Sequence, residues 1–116
     1  MSIQRIGCGP RMSDAVVHGN TVYLAGRVAT GARGHSVTEQ TKDILGLIEK
    51  TLAEAGTDKT KLLSATIYLS DIKTFAEMNS VWDAWVAPGH TPARATVEAK
   101  LAHPDFTVEI VVVAAR

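Results

Sequence analysis

Two charged residues in the last quarter of the chain stand where a plain β-sheet would not need them. Arg94 directly follows Pro92-Ala93. Glu109 lies inside the run 106–113, whose other members are apolar apart from Thr107. A carboxylate among valines is costly to bury unless it is paired or hydrogen-bonded. An arginine offers a planar, permanently charged fork that matches a carboxylate. A glutamate can act first as a general base and then as a general acid. One reading is a shared site, in which Arg94 orients a small anionic substrate and Glu109 handles protons. The other is a structural ion pair at an interface between subunits. Residue types alone leave both open.

Little else in the sequence carries chemistry. Cys8 is the single cysteine, so no disulfide can form within the chain. No Cys-x-x-Cys or His/Cys cluster suggests a metal site. The four histidines (18, 35, 90 and 103) sit mostly beside Gly or Pro in turn-like stretches. Of these, His90 is a minor candidate because it just precedes the Arg94 segment. Arg27 reads as a loop charge, with anion binding as the lesser alternative.

The chain has 116 residues, 46% hydrophobic and 21% charged, with a formal net charge of zero. One domain spanning 1–116 is expected, large enough for a modest core. Zero net charge argues against nucleic acid or an anionic membrane as the main partner, since both reward a basic surface. Residues 1–10 lack the apolar centre of a signal peptide, and no apolar run reaches membrane-spanning length. A reducing, cytoplasmic setting is the expectation.

The elements that must position Arg94 and Glu109 follow from periodicity. Residues 3–7 predict a short edge strand, ended by Gly7, Gly9 and Pro10. Residues 15–18 and 21–25 predict a hairpin turning at Gly19-Asn20. A flexible loop is expected over 28–35. Ser36-Val37-Thr38-Glu39 matches a capping box opening a helix that Gly56 closes. Gly46 within it is expected to allow close packing on a sheet. Residues 62–69 alternate as a strand. Asp71 is expected to cap a second helix with the apolar stripe Phe75, Met78, Val81, Trp82 and Trp85, stopped by Pro88-Gly89. Both Trp residues read as core. Two strands joined by a His103-Pro104-Asp105 turn finish the chain.

The resulting order, β-β-α-β-α-β-β, predicts an α+β fold, with both helices on one face of the sheet. In the last strand Val108, Ile110 and Val112 are expected to face the helices and Glu109 to face away. In the strand before it, Ala95 and Val97 are expected inward, with Arg94, Thr96, Glu98 and Lys100 on Glu109's side. The away face, holding Tyr23, Tyr68 and several Val and Thr, is too apolar for a fully wet surface. Burial against other subunits is the expectation.

With these segments in order, the chain resembles the YjgF/RidA family of small imine deaminases, over nearly its whole length from about Arg11. The resemblance rests on Ser13-Asp14-Ala15-Val16-Val17 with Gly19-Asn20, then Tyr23-Leu24-Ala25-Gly26, then Thr66-Ile67-Tyr68-Leu69-Ser70-Asp71. Phe75-Ala76-Glu77-Met78-Asn79, Trp82-Asp83-Ala84-Trp85, Pro92-Ala93-Arg94-Ala95-Thr96-Val97 and Val108-Glu109-Ile110 complete it. The double-Trp helix and Arg11-Met12-Ser13-Asp14 are most similar to a YoaB-like branch.

The resemblance implies a chorismate-mutase-like fold of the bacillar type, assembled as a homotrimer with sites in the clefts between subunits. It implies cofactor-free hydrolysis of reactive 2-imino or enamine acids, such as 2-aminoacrylate, to 2-keto acids and ammonia. Arg94 would bind the substrate carboxylate and Glu109 would orient or activate water. Thr96 would contact substrate through its backbone, with Gly26 and Asn79 beside the cleft. Met12 stands where the family often has a cleft-lining Tyr, and Ala25 where it commonly has Ser, so two hydroxyls are absent from the expected pocket. A trimer that binds small carboxylates as a regulator, without turnover, is the alternative.

Overall fold

The computed structural model describes residues 2–116. Nine elements follow one another: β1 (Ile3–Ile6), β2 (Ala15–His18), β3 (Thr21–Leu24), β4 (Arg27–Val28), α1 (Val37–Glu54), β5 (Leu62–Leu69), α2 (Phe75–Trp85), β6 (Ala93–Glu98) and β7 (Val108–Ala115). The strands form one mixed sheet in the order β1-β2-β3-β7-β5-β6, with β4 also pairing to β7. Every pairing is antiparallel except β5 with β6. The expected α+β architecture, with two helices against one mixed sheet, is present.

Local chemistry explains most boundaries. Gly19 turns the β2–β3 hairpin at φ 62°, a value that costs glycine nothing. The Ser36 hydroxyl accepts from the Glu39 amide at 3.2 Å and opens α1, and Gly56 ends it at φ 78°. From α1, Ile44, Leu45, Ile48 and Leu52 are fully buried. They meet the inward row Val108, Ile110 and Val112 of β7, also buried. Each such side chain contributes about 1.5–3 kcal/mol.

Several expectations are corrected. Residues 28–35 are not all loop: Arg27 and Val28 form β4, paired with Ile110 and Glu109. Asp71 caps a single 3-10 turn over Ile72–Thr74 by accepting from the Lys73 amide at 2.9 Å, and α2 starts only at Phe75. Gly46 does not pack on the sheet. It is exposed, and beyond its chain neighbours and the backbone of its own helix a Cβ placed there would meet none of the described residues within 4 Å.

The largest correction concerns β6. Ala93, Ala95 and Val97 are exposed, whereas Arg94 and Thr96 are half-buried. The parallel register sets Arg94 beside Ala65 and Thr96 beside Ile67, both buried. Arg94 and Thr96 therefore lie on the helix side of the sheet. Ala95 and Val97 share the uncovered face. Among the described residues β6 is an edge strand, with β5 as its only neighbour, so its inward residues lie at the rim of the core. A long side chain there can bury its stem and keep its charge at the margin.

The uncovered face carries Tyr23 and Val97, 51% and 44% exposed. Val16, Val111 and Val113 are half-buried beside them. In register, Val16 pairs with Tyr23 and Tyr23 with Val113, so an apolar row crosses β2, β3 and β7, with Val111 further along β7; Val97 lies apart, in the row of Tyr68 and Glu109.

Candidate active site

Arg94 is positioned by the edge strand and by α2. Its Nη1 donates to Asn79 Oδ1 at 2.7 Å. Guanidinium is a pure donor, so Asn79 can meet it only with its carbonyl oxygen. The Arg94 fork also lies over the Trp82 ring (5.4 Å to the centroid) and near the Phe75 ring (5.8 Å). Such cation–π contacts contribute about 0.5–2 kcal/mol each, according to exposure. The hydrogen bond and these contacts together account for three residues of α2: Asn79 in mid-helix despite its poor propensity, Phe75 left 41% exposed, and Trp82 acting as core and platform at once. Among the described residues no carboxylate lies within ion-pair distance of Arg94. Its remaining donors are held in place and unspent.

Glu109 belongs to the opposite face. It pairs across the sheet with Tyr68 and, through it, shares a row with Val97. A Cβ built on Gly26 would lie 2.5 Å from Glu109 Oε2 and 3.2 Å from Val111. Glycine at this position lets the carboxylate lie against the backbone; a side chain here would push it aside. On its open side Glu109 lines a cavity of about 280 Å3 with Tyr68, Lys100, Leu101 and Val111. Glu109 also has no ion-pair partner among the described residues.

The structure thus assembles two groups within one chain. Arg94, Asn79 and Thr96 lie on the helix side; Glu109 and Gly26 lie on the uncovered side. The expectation that Arg94 and Glu109 share a face is overturned by the parallel register of β5 and β6. Thr96 Oγ1 is buried without a hydrogen-bond partner. Met12 is 53% exposed and lines a separate cavity of about 290 Å3 with Arg5, Arg11 and Val16. Arg27 is not a loop charge: it is half-buried, donating to Thr51 Oγ1 at 2.9 Å and lying 3.6 Å from Asp14. His90 is exposed in the turn after α2. A larger cavity, about 540 Å3, opens between α1 and α2 beside Lys42, Lys59 and Trp85, and neither Arg94 nor Glu109 lines it.

Gln40 is a positioning residue that the sequence reading missed. Fully buried, its Nε2 donates to His35 O at 3.0 Å and Asp105 O at 2.8 Å, and its Oε1 accepts from Thr107 N at 2.9 Å. It fastens the turn entering β7, two residues before Glu109. The available signal was an amide on the apolar stripe of α1, between Val37 and Ile44.

No helix among the described residues is long and apolar enough to cross a membrane, and no group of three His, Cys, Asp or Glu residues is placed to hold a metal ion.

Comparison with known proteins covers the whole site. The family described as Endoribonuclease L-PSP matches residues 3–116. A RutC family protein of Haemophilus influenzae is 47% identical over 114 residues, 98% of each chain. The RutC family protein YoaB of Escherichia coli is 44% identical over 115 residues, 99% of each chain. Among solved structures, a member of the YjgF protein family from Neisseria meningitidis is 48% identical. It superposes with a TM-score of 0.96 over 100% of this chain and 96% of that one. Matched from its first strand to its last residue, in sequence and in fold, the chain belongs to the YjgF/RutC family, described as Endoribonuclease L-PSP, and groups with its YoaB-named members.

Proposed function

We propose that the protein hydrolyses small 2-imino acids to 2-keto acids and ammonia, at sites formed between copies of the chain in a homotrimer. The observation that carries this reading is the state of Arg94. Its fork is held by Asn79 and two aromatic rings, yet among the described residues no carboxylate lies within ion-pair distance of it. A preorganised, unpaired guanidinium at a sheet edge suits a substrate carboxylate. Glu109, equally unpaired and set against Gly26, suits proton transfer.

Because the two residues face opposite ways, one substrate reaches both only if β6 of one copy meets the uncovered face of another. The apolar band of Tyr23, Val111 and Val113 supplies a reason for that face to be covered. Arg94 of one copy then holds the carboxylate. Glu109 of the other takes a proton from water, whose oxygen adds to the imine carbon. The protonated Glu109 returns the proton to nitrogen and then accepts the proton of the carbinolamine hydroxyl as the C–N bond breaks, so that ammonia leaves a 2-keto acid. Such acid–base help supplies about 10²–10⁴-fold. The imine becomes electrophilic on protonation, so the step calls on no metal.

The family description also raises RNA cleavage. RNA binding rewards a basic surface with aromatic platforms, and a chain of zero formal net charge is poorly suited to it. The experiment generates 2-aminoacrylate or amino-acid-derived imines in situ and follows keto-acid release with and without protein. Acceleration that is lost in Arg94→Ala supports the reading. No acceleration of any imino acid by native, assembled protein sinks it.

A further inference from the structure

The cavity beside Glu109 contains a cation that the proposed reaction does not use. Lys100 lines it together with Tyr68 and Leu101. Lys100 has no carboxylate within 4 Å among the described residues, Glu109 included. Tyr68 stands opposite Glu109 in the sheet register. The segment carrying Lys100 is pinned at both ends. Ala99 N donates to Leu69 O at 2.9 Å, Ser70 N to Thr107 O at 3.0 Å, and Phe106 N to His103 O at 3.0 Å. The wall that presents the lysine is therefore anchored to β5 and to the turn entering β7.

We infer that Lys100 and Tyr68 receive a second carboxylate, and that the preferred substrate is a dicarboxylic 2-imino acid, the imine of an acidic amino acid. The inference rests on the deaminase reading above. A three-carbon monocarboxylic imine uses Arg94 and Glu109, leaves the lysine idle and fills little of the roughly 280 Å3 cavity. A four- or five-carbon diacid spans it. The carboxylate on C1 meets Arg94 of the neighbouring copy, C2 lies over Glu109, and the distal carboxylate accepts from the Lys100 ammonium and the Tyr68 hydroxyl. The bonds made and broken are those of the proposed hydrolysis: water oxygen to C2, then C2–N cleaved, with ammonia and a 2-keto diacid as products. The reaction that supplies such a substrate is oxidation of an acidic amino acid at its α-carbon.

The test compares two imines on the same enzyme, made in situ by amino-acid oxidases from aspartate and from alanine. Semicarbazide competes for the free imine, and kcat/KM is taken for each. The wild-type ratio of diacid to monoacid is expected to be about tenfold or more, to fall about tenfold in Lys100→Met, and to recover in Lys100→Arg, as a charge-assisted contact requires. Thermal melting and sizing confirm that each variant is folded and assembled. A ratio that does not move in Lys100→Met overturns the inference and leaves the deaminase reading standing. Acceleration of neither imine by the wild type overturns both.

Discussion

Arg94 and Glu109 project from opposite faces of one sheet: Arg94 lies in the row of buried Ala65 and Val112, Glu109 in the row of Tyr68 and Val97. This relationship turns the proposed chemistry into a statement about assembly, because a substrate held by both must lie between two chains.

Mixing two inactive variants tests that statement. Arg94→Ala and Glu109→Gln should each lose imine hydrolysis. After subunit exchange at equal amounts, about a quarter of the sites should regain an intact pair, because each draws one residue from each of two copies. Mass spectrometry verifies the exchange. Exchanged but still inactive protein would rule out the two-chain site.

Breaking the assembly should have the same effect as breaking the site. Tyr23→Asp or Val113→Asp puts a charge into the apolar band of the uncovered face. The expected result is a folded monomer by light scattering and circular dichroism, with imine hydrolysis lost. A monomer that retains full turnover contradicts the proposal.

Asn79→Leu removes the acceptor that holds Arg94 Nη1. A hydrogen bond to a charged group contributes about 1.5–3 kcal/mol. KM for an imino acid should rise about tenfold, with a smaller change in kcat, and Tm should move little. A drop in kcat alone would assign Asn79 to the chemical step instead.

Gly26→Ala places a Cβ 2.5 Å from Glu109 Oε2. The carboxylate must move, and displacement of a catalytic group by about 1 Å costs up to roughly a hundredfold. The expected signature is a fall in kcat of about ten- to a hundredfold. Unchanged kinetics in this variant would remove Glu109 from the mechanism.

Gln40→Leu leaves two carbonyls and one amide without their side-chain partner. The loss is about 3 kcal/mol in all, or a Tm lower by about 10 °C for a domain of this size. Denaturant or thermal unfolding reads it directly. A change under 1 kcal/mol would mean that water replaces the amide at no cost.

Much of the fold is legible in the chain. The alternation 108–113 is unambiguous because its apolar row is strong, and Val108, Ile110 and Val112 are buried as expected. Ser36 and Gly56 mark the ends of α1 through chemistry that acts within one turn. Arg94 and Glu109 stand out by type alone, as charges inside strands. Gln40 was not singled out, because its three partners at 35, 105 and 107 are brought together only when α1 packs beside the turn into β7.

What the sequence determined by itself is therefore the local structure, the α+β order and the residues able to do chemistry. Alternation along β6 also showed that Arg94 and Thr96 share one face and Ala95 and Val97 the other. It could not say which face is which. A period of two has two phases, and a shift of one residue exchanges them. Hydrophobicity chooses the phase in a central strand such as β7. In the edge strand it pointed the wrong way, because the rim of the core accepts an arginine stem and an aromatic platform in place of an aliphatic row. Only the parallel register of β6 on β5, with Ala65 beside Arg94, decided that Arg94 lies under α2 and Glu109 on the far side.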